Sequence, residues 1–264
     1  MKIGVIGLGV VGGAVKHGLE KIDQKVVGFD IKFPETSIKD VIDTELCFIC
    51  VPTPQKEDGT CDTSIVEDVL RQLETEKYEG LAVIKSTVIP GTTDSLKEKF
   101  KLRLAFCPEF LRERAAFTDF VENHDLCVIG SYNDSDYELI RNAHGKLPKN
   151  FCNLSIKEAE FAKYFSNILN ALRIVFANEF HAVCAKVGVD YTKIKNAMVL
   201  RDTINDVYLD CNDNFRGFGG MCLPKDTAAF AAFVKQLGLD LKLFDVVVEE
   251  NKKFKKTVPD GMRK

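Results

Sequence analysis

The chain opens on a short apolar run, Lys2-Ile3-Gly4-Val5-Ile6-Gly7-Leu8, which passes directly into the glycine pattern Gly7-Leu8-Gly9-Val10-Val11-Gly12. A nearly unbroken apolar run of this length fits a central strand covered by helices on both faces, and glycines at its end allow a tight turn into a helix. Such a start commits the chain to strand–helix–strand units. The spacing predicts further strands over 25–30, 45–51, 81–86, 103–107 and 125–131, with helices over about 62–77, 92–100 and 134–144. This alternation implies parallel crossovers and an α/β, Rossmann-like doubly wound parallel sheet. The segments 52–61 and 87–91, rich in Pro, Gly and Thr, leave the C-terminal ends of strands, the edge at which such sheets bind ligands.

From about Ser155 the pattern changes. Residues 156–187 carry alanines and apolar residues at helical spacing, without a breaker until Gly188, which predicts one long helix. Further helices are expected near 190–199, 224–237 and 241–256, with a polar stretch at 201–216. Two domains follow: 1–155, a nucleotide-binding α/β domain, and 156–264, an all-helical domain built on the long spine helix. An apolar-rich helix of that length in a small domain leaves surface to cover, so a homodimer through 156–187 is expected.

Composition narrows function mainly by exclusion. The net charge of −3 and pI near 5.9 supply no basic field, which argues against nucleic acid or an anionic membrane surface as partner. No apolar run reaches the roughly 18 to 20 residues of a membrane span, and the N-terminus enters a strand pattern without a signal-peptide layout. Nine cysteines, odd in number and mostly set in apolar runs such as Leu46-Cys47-Phe48-Ile49-Cys50-Val51, read as buried reduced thiols of a reducing, cytoplasmic compartment. Cys47 and Cys50 form a CxxC, yet in an extended strand they point to opposite faces, which argues against zinc or redox pairing. His17, His124, His144 and His181 lack metal-ligand spacing, and no metal site is expected.

The glycine pattern gains meaning from its context, because it follows a strand and opens a helix. Gly7 allows the tight turn, Gly9 lets a pyrophosphate approach the backbone, and Gly12 lets helix and strand pack closely. The phosphates would then meet backbone N–H groups at the helix start, where Val10 and Val11 lie. The second strand ends at Gly28-Phe29-Asp30, placing a carboxylate where it can bond the adenosine ribose hydroxyls. Asp30 would repel a 2′-phosphate, which favours NAD over NADP, although Lys32 lies nearby.

A second feature stands near the other end. In Gly217-Phe218-Gly219-Gly220-Met221-Cys222-Leu223-Pro224-Lys225-Asp226 a cysteine sits between a glycine turn and a charged helix start. Pro224 suits the first turn of a helix. The helix dipole and the Lys225 ammonium would favour the Cys222 thiolate, the nucleophilic form. Lys163 and Asn167 lie four apart on the spine helix, so they share a face and can aim a cation and an amide at one oxygen, a pair suited to an oxyanion. Standing alone, the same two residues equally fit a solvated helix face.

Several separate motifs make the chain resemble the UDP-glucose/GDP-mannose dehydrogenase family. They are Val51-Pro52-Thr53-Pro54, Lys85-Ser86-Thr87-Val88-Ile89-Pro90-Gly91-Thr92-Thr93 and Cys107-Pro108-Glu109-Phe110-Leu111-Arg112-Glu113. Glu158-Ala159-Glu160 with Lys163 and Asn167, Ala171 with Arg173, Asn178-Glu179 and the Cys222 loop complete the set. The resemblance implies oxidation of a sugar-nucleotide alcohol, UDP-glucose foremost, to the carboxylate with two NAD. It places Thr87, Glu109, Glu113, Lys163, Asn167, Cys222 and Asp226 around the reacting carbon, with Glu113, Thr87, Lys225 and Thr53 toward the cofactor. Phe110, Leu111, Arg112, Lys163, Asn167, Arg173 and Gly219 are implied on the substrate side. Chemically, Cys222 would attack the aldehyde left by the first hydride transfer, and the thiohemiacetal would become a thioester at the second. Glu109, Glu113 and Asp226 are candidates for proton transfer during hydrolysis, with Glu109 or Asp226 activating the water.

The chain departs from the family pattern in two places. That pattern continues into a second nucleotide-like α/β domain gripping the UDP or GDP, whereas this sequence stops at Lys264, and the loop 201–217 looks shortened and lacks the usual proline-glycine run. Arg173 either binds substrate across a dimer or pairs with Glu179. An NAD-binding remnant with a regulatory or interaction role, a piece of a longer enzyme, and a hydroxyisobutyrate-type dehydrogenase of small hydroxy acids all stay open, although Cys222 speaks against the last.

Overall fold

The central strands lack a polar face because both sides of their sheet are covered. The computed structural model describes residues 1–254, and the strands are β1 (Lys2–Ile6), β2 (Lys25–Phe29), β3 (Leu46–Ile49), β4 (Leu81–Ile84), β5 (Arg103–Phe106), β6 (Leu126–Gly130) and β7 (Asn150–Leu154). They form one sheet in the order β2-β1-β3-β4-β5-β6-β7. Alternate residues feed two cores. Ile6, Cys47, Ile49, Ala82, Ile84, Leu104 and Phe106 lie in one, while Ile3, Val5, Leu46, Phe48, Val83, Ala105 and Cys107 lie in the other, as the two-residue period of a strand requires. Cys47 belongs to the first core and Cys50 packs against the second, so this CxxC does point to opposite faces.

The helices follow in chain order as α1 (Val10–Lys21), α2 (Ser64–Thr75), α3 (Thr92–Lys99), α4 (Ala116–Val121), α5 (Asp134–His144), α6 (Ile156–Lys186), α7 (Tyr191–Met198), α8 (Leu223–Gln236) and α9 (Lys242–Lys252). The last expected helix, 241–256, thus ends earlier, and its final two positions lie outside the described residues, as do the last ten positions of the expected second domain.

Two features differ from the sequence reading. The sheet is not wholly parallel, because β5 and β6 meet through a single antiparallel register pair, Phe106 with Gly130, before β6 and β7 resume parallel pairing. The physical reason is the link between them, where a 3₁₀ turn at Glu113–Ala115 and α4 take the place of a full crossover helix. The edge strand β7, Asn150-Phe151-Cys152-Asn153-Leu154, was not among the expected strands; it is short and carries two asparagines, a residue type depleted in strands.

The chain divides into two compact units, one of residues 1–54 and 61–163, the other of 55–60 and 164 onward, so the division falls within α6. The first unit holds the sheet. Its α6 segment starts with a reciprocal cap, in which the Ser155 hydroxyl and N–H both donate to Glu158 Oε2, at 2.7 and 2.9 Å. In the second unit, Ala171, Val175, Phe218 and Val247 form one small core and Ala177, Cys184, Tyr191 and Cys211 another. The polar stretch after α7 is tied down by Lys195, whose ammonium reaches Asp206 and Asp210, each at 2.7 Å.

One helix runs against the expectation that nothing here could span a bilayer. By length and composition alone α6 meets that test, with about a third of its apolar window buried. Its Glu160, fully buried, accepts hydrogen bonds from Gly91 N at 2.5 Å and Thr93 N at 2.8 Å, as a core helix does.

His144 lies at the end of α5 among Phe48, Phe120 and His124. It is fully buried, its Nδ1 lies 2.9 Å from Ile140 O, and its Nε2 has no hydrogen-bond partner. Burial, with the nearby Lys85 charge, holds its pKa well below the usual 6.5. The unfolded chain therefore binds a proton that the native state refuses, so stability is full above 6.5 and falls as pH drops below it. Between pH 7.5 and 5.5 this single group should remove about 1 kcal/mol. Urea midpoints measured across that range should show the slope in the wild type and a shallower one in His144→Leu.

Candidate active site

β1 is where the strand order reverses, since the chain goes to β2 on one side and returns to β3 on the other. The crevice beyond the strand C-terminal ends at such a switch point is the usual ligand position in this architecture. Gly7 turns the chain there with φ +88°, which an L side chain rarely adopts. Its N–H donates to Phe29 O at 2.8 Å. A Cβ on Gly12 would stand 1.8 Å from Gly7 O, whereas one on Gly9 would meet nothing within 4 Å. Gly12 thus permits close packing of α1 on the turn, and Gly9 faces open space. Gly9 is the N-cap of α1 without a side-chain cap, and the first turn, beginning Val10-Val11, carries no acidic residue. Nothing competes there with a phosphate for the helix N-terminus.

Asp30 is fixed at the end of β2, where Oδ2 accepts from Leu8 N at 2.7 Å and Oδ1 from Lys32 N at 2.9 Å. Lys32 therefore helps to orient the carboxylate through its backbone. A glycine cradle with open space before it and an oriented carboxylate 22 residues on fits a dinucleotide whose ribose hydroxyls Asp30 would receive.

The loops after β3 and β4 are stitched together. The Thr53 hydroxyl, on a buried residue, donates to Thr87 O at 2.8 Å, and Ser86 Oγ donates to Val51 O at 2.7 Å. After β5, Lys163 reaches from α6 to Glu109, donating to its backbone O at 2.7 Å and to Oε1 at 3.0 Å. Both side chains are nearly sealed, at 4% and 9% exposure, which sets aside a solvated face for Lys163. Glu109 Oε2 accepts from Leu111 N at 2.6 Å, and the Lys163 ammonium lies 5.8 Å from the Phe110 ring centre. Arg112 binds Asp119 through Nε at 2.9 Å and Nη2 at 2.6 Å, and that pairing holds the Asp119 carboxyl below its ordinary range. Its guanidinium thus ties the residue before the 3₁₀ turn to α4, and Glu113 itself is exposed.

In the second unit Cys222 is the N-cap of α8, and Pro224 stands in the first turn. Cys222 is exposed; the other eight thiols are buried or half-buried, and burial pushes Cys47 and Cys50 up to about 12. Asp226, one turn on, is 1% exposed and bonded at both oxygens, accepting from Asn167 Nδ2 at 2.6 Å and Lys225 Nζ at 2.5 Å. The Lys225 ammonium is thus held by Asp226 in the first turn of α8. Asn167, like Lys163, is buried. The loop before Cys222, which includes Gly219, turns at Gly217 (φ +65°) and Gly220 (φ +85°). Asn251 grips it at both backbone groups of Phe218, accepting from N at 2.7 Å and donating to O at 2.9 Å. Asn178 Oδ1 accepts from Gly217 N at 3.0 Å. Nothing in the sequence around Asn251 signalled this role. Arg173 does not pair with Glu179. Its Nη1 donates to Asn205 Oδ1 at 2.9 Å, and Glu179 stands instead beside Glu250, where burial together with that carboxyl raises its pKa.

The family model "UDP-glucose/GDP-mannose dehydrogenase family, NAD binding domain" matches residues 32–147, and the central-domain model of the same family matches 157–253. A UDP-glucose 6-dehydrogenase of Rickettsia bellii is 35% identical over 231 residues, covering 84% of this chain and 52% of that protein. A UDP-glucose dehydrogenase structure from Pyrobaculum islandicum superposes with a TM-score of 0.86 at 30% identity, covering 96% of this chain and 68% of its own. A GDP-mannose dehydrogenase structure from Pseudomonas aeruginosa superposes at 0.69 with 27% identity, covering 96% and 69%. The chain spans about half the length of the curated relatives it matches. With two of the family's domains matched in order along the chain, and with a dinucleotide cradle in the first, the chain belongs to the UDP-glucose/GDP-mannose dehydrogenase family and carries its NAD-binding and central domains.

Proposed function

We propose that this chain oxidises the primary alcohol of a nucleotide sugar, UDP-glucose foremost, to the carboxylate in two steps through a thioester on Cys222. The observation that carries the reading is the exposed Cys222 thiol at the N-cap of α8. A helix N-terminus favours a thiolate, and exposure gives it access to a carbonyl carbon. NAD, when bound, supplies the hydride acceptor for both oxidations. The first removes a hydride and the hydroxyl proton to leave an aldehyde. Cys222 Sγ then adds to its carbonyl carbon, loss of a second hydride gives the thioester, and water cleaves the C–S bond and returns the thiolate.

Buried donors suit the oxyanions of this sequence. Lys163 and Asn167 supply a cation and an amide from one face of α6, each oriented by a carboxylate, Glu109 and Asp226 respectively. Glu109 and Asp226 are each bonded at both oxygens, Glu109 by Lys163 and Leu111 N and Asp226 by Asn167 and Lys225, and either takes the proton-transfer role by exchanging one of these partners for the attacking water. Thr53, Thr87, Glu113 and Lys225 belong on the cofactor side, and Phe110, Leu111, Arg173 and Gly219 on the substrate side. The sugar nucleotide is the small-molecule partner, and the reduced thiols suit a cytoplasmic setting.

A second copy of the chain is the proposed partner of α6. Phe165, Leu169, Phe176, Phe180, Val183 and Val187 are exposed and recur at three-, four- and seven-residue spacing along one helix face. A stripe of apolar side chains running along one helix can cover itself across a two-fold axis. Sedimentation should give a dimer for the wild type and a monomer for Phe176→Glu; a wild-type monomer removes the proposal.

NADH formation with UDP-glucose and GDP-mannose tests the chemistry. The expected result is two NADH per sugar consumed, with Cys222→Ser losing about 100-fold or more in turnover and yielding at most one NADH per aldehyde released. NAD binding without NADH from any sugar nucleotide would overturn the reading and leave an NAD-binding protein without this catalysis.

A further inference from the structure

Three successive carbonyls at the end of β5 are each taken by a buried lysine. Lys163 Nζ donates to Glu109 O at 2.7 Å. Lys85, at the end of β4, donates to Cys107 O at 2.9 Å and Pro108 O at 3.4 Å, with Cys107 Sγ also at 3.4 Å. Lys85 is 3% exposed. Its ammonium lies 5.4 Å from the centre of the Phe48 ring. A fully desolvated ammonium is costly unless hydrogen-bonded and paired, and here its three acceptors all come from one dipeptide, Cys107-Pro108. The residue immediately after them is Glu109.

We infer that Lys85 is a positioning residue for Glu109: it clamps the Cys107-Pro108 backbone while Lys163 clamps Glu109 O. Cys127 Sγ lies 3.7 Å from Cys107 Sγ, so its thiol can donate there. This hydrogen bond, with Lys85, draws the Cys107 pKa below its ordinary range despite burial, and Cys127 is pushed up in turn. Burial works against the Lys85 ammonium, but the Cys107 sulfur beside it favours that charge, and its pKa is left raised. The same pocket brings His144 within 4.8 Å of Cys107 and Cys127 in a metal-like trio. A cation is already in place on Cys107, however, so an added metal ion would bring a second positive charge into a sealed core. The clamp is the arrangement that leaves the pocket electrically balanced.

The catalytic consequence rests on the proposed dehydrogenase reading; the positioning claim does not, and the experiment separates them. Hydrogen exchange at the Leu111 amide, which donates to Glu109 Oε2, reports the turn directly. In Lys85→Met this amide should exchange at least about 10-fold faster while amides of β1 keep their protection. With a sugar nucleotide, kcat should fall about 10- to 100-fold while the NAD dissociation constant changes less than about 3-fold. In Lys85→Ala, methylammonium should restore Leu111 protection in a dose-dependent way, a response that simple loss of packing would not give. If Lys85→Met does not fold, this Lys85→Ala series decides by itself, and protection indifferent to methylammonium overturns the clamp. Wild-type exchange at Leu111 in Lys85→Met also overturns it. A wild type that makes no NADH sinks the dehydrogenase reading, while the exchange data still decide the clamp.

Discussion

A polar side chain sealed away from water must find a partner, and α6 buries four in a row: Glu160, Lys163, Asn167 and Asn178. Each finds it on a different loop. Glu160 collects the N–H groups of Gly91 and Thr93 at the start of α3, and Lys163 takes Glu109 after β5. Asn167 takes Asp226 on α8, and Asn178 takes Arg216 and Gly217 before the cysteine loop. Losing one member of a buried charged pair costs about 3–5 kcal/mol because its partner is left stranded. Within each unit, the loops that carry the candidate chemistry are therefore held in place. Burial raises the Glu160 carboxyl pKa, the Thr93 and Gly91 hydrogen bonds pull it back, and that balance keeps an acidic group tolerable in a core.

This explains how much of the protein can be read in its sequence. Covered strands and the spine helix announce themselves, because their signals are local: apolar runs of four or five residues, and a helical period sustained from Ile156 to Lys186. The glycine turn is equally local. Gly7 meets its steric duty with a positive φ and Gly12 with a close approach to Gly7 O, while Gly9 faces open space. The N-cap position of Cys222 likewise follows from the glycines before it and the proline after it.

What escaped the sequence is decided by partners far along the chain. Lys225 stands three residues from Cys222, and its bond to the buried Asp226 carboxylate becomes visible only once burial is known. Arg173 and Glu179 are nearly two turns apart on one helix, but folding brings Asn205 to the first and Glu250 to the second. Asn251 stands 33 residues from the Phe218 backbone it grips. The four histidines show no ligand spacing, and still the sheet and α5 gather His144, Cys107 and Cys127 into one pocket. A pattern search finds periodicity and fails wherever a side chain chooses its partner by burial.

The nine cysteines show the same division in their chemistry. In the sheet they fill core positions, where burial holds Cys47 and Cys50 as neutral thiols at about 12, and even Cys107, drawn toward thiolate, spends that character on Lys85 inside a closed pocket. None of these can meet a carbonyl carbon without opening the core. Cys222 differs in place: it sits exposed at a helix start, after a loop fixed by Asn178 and Asn251. A nucleophile needs both exposure to its electrophile and a rigid mounting, since misplacement by about 1 Å can cost 100-fold in rate. Of the nine thiols, Cys222 has the exposure, and two buried asparagines supply the mounting.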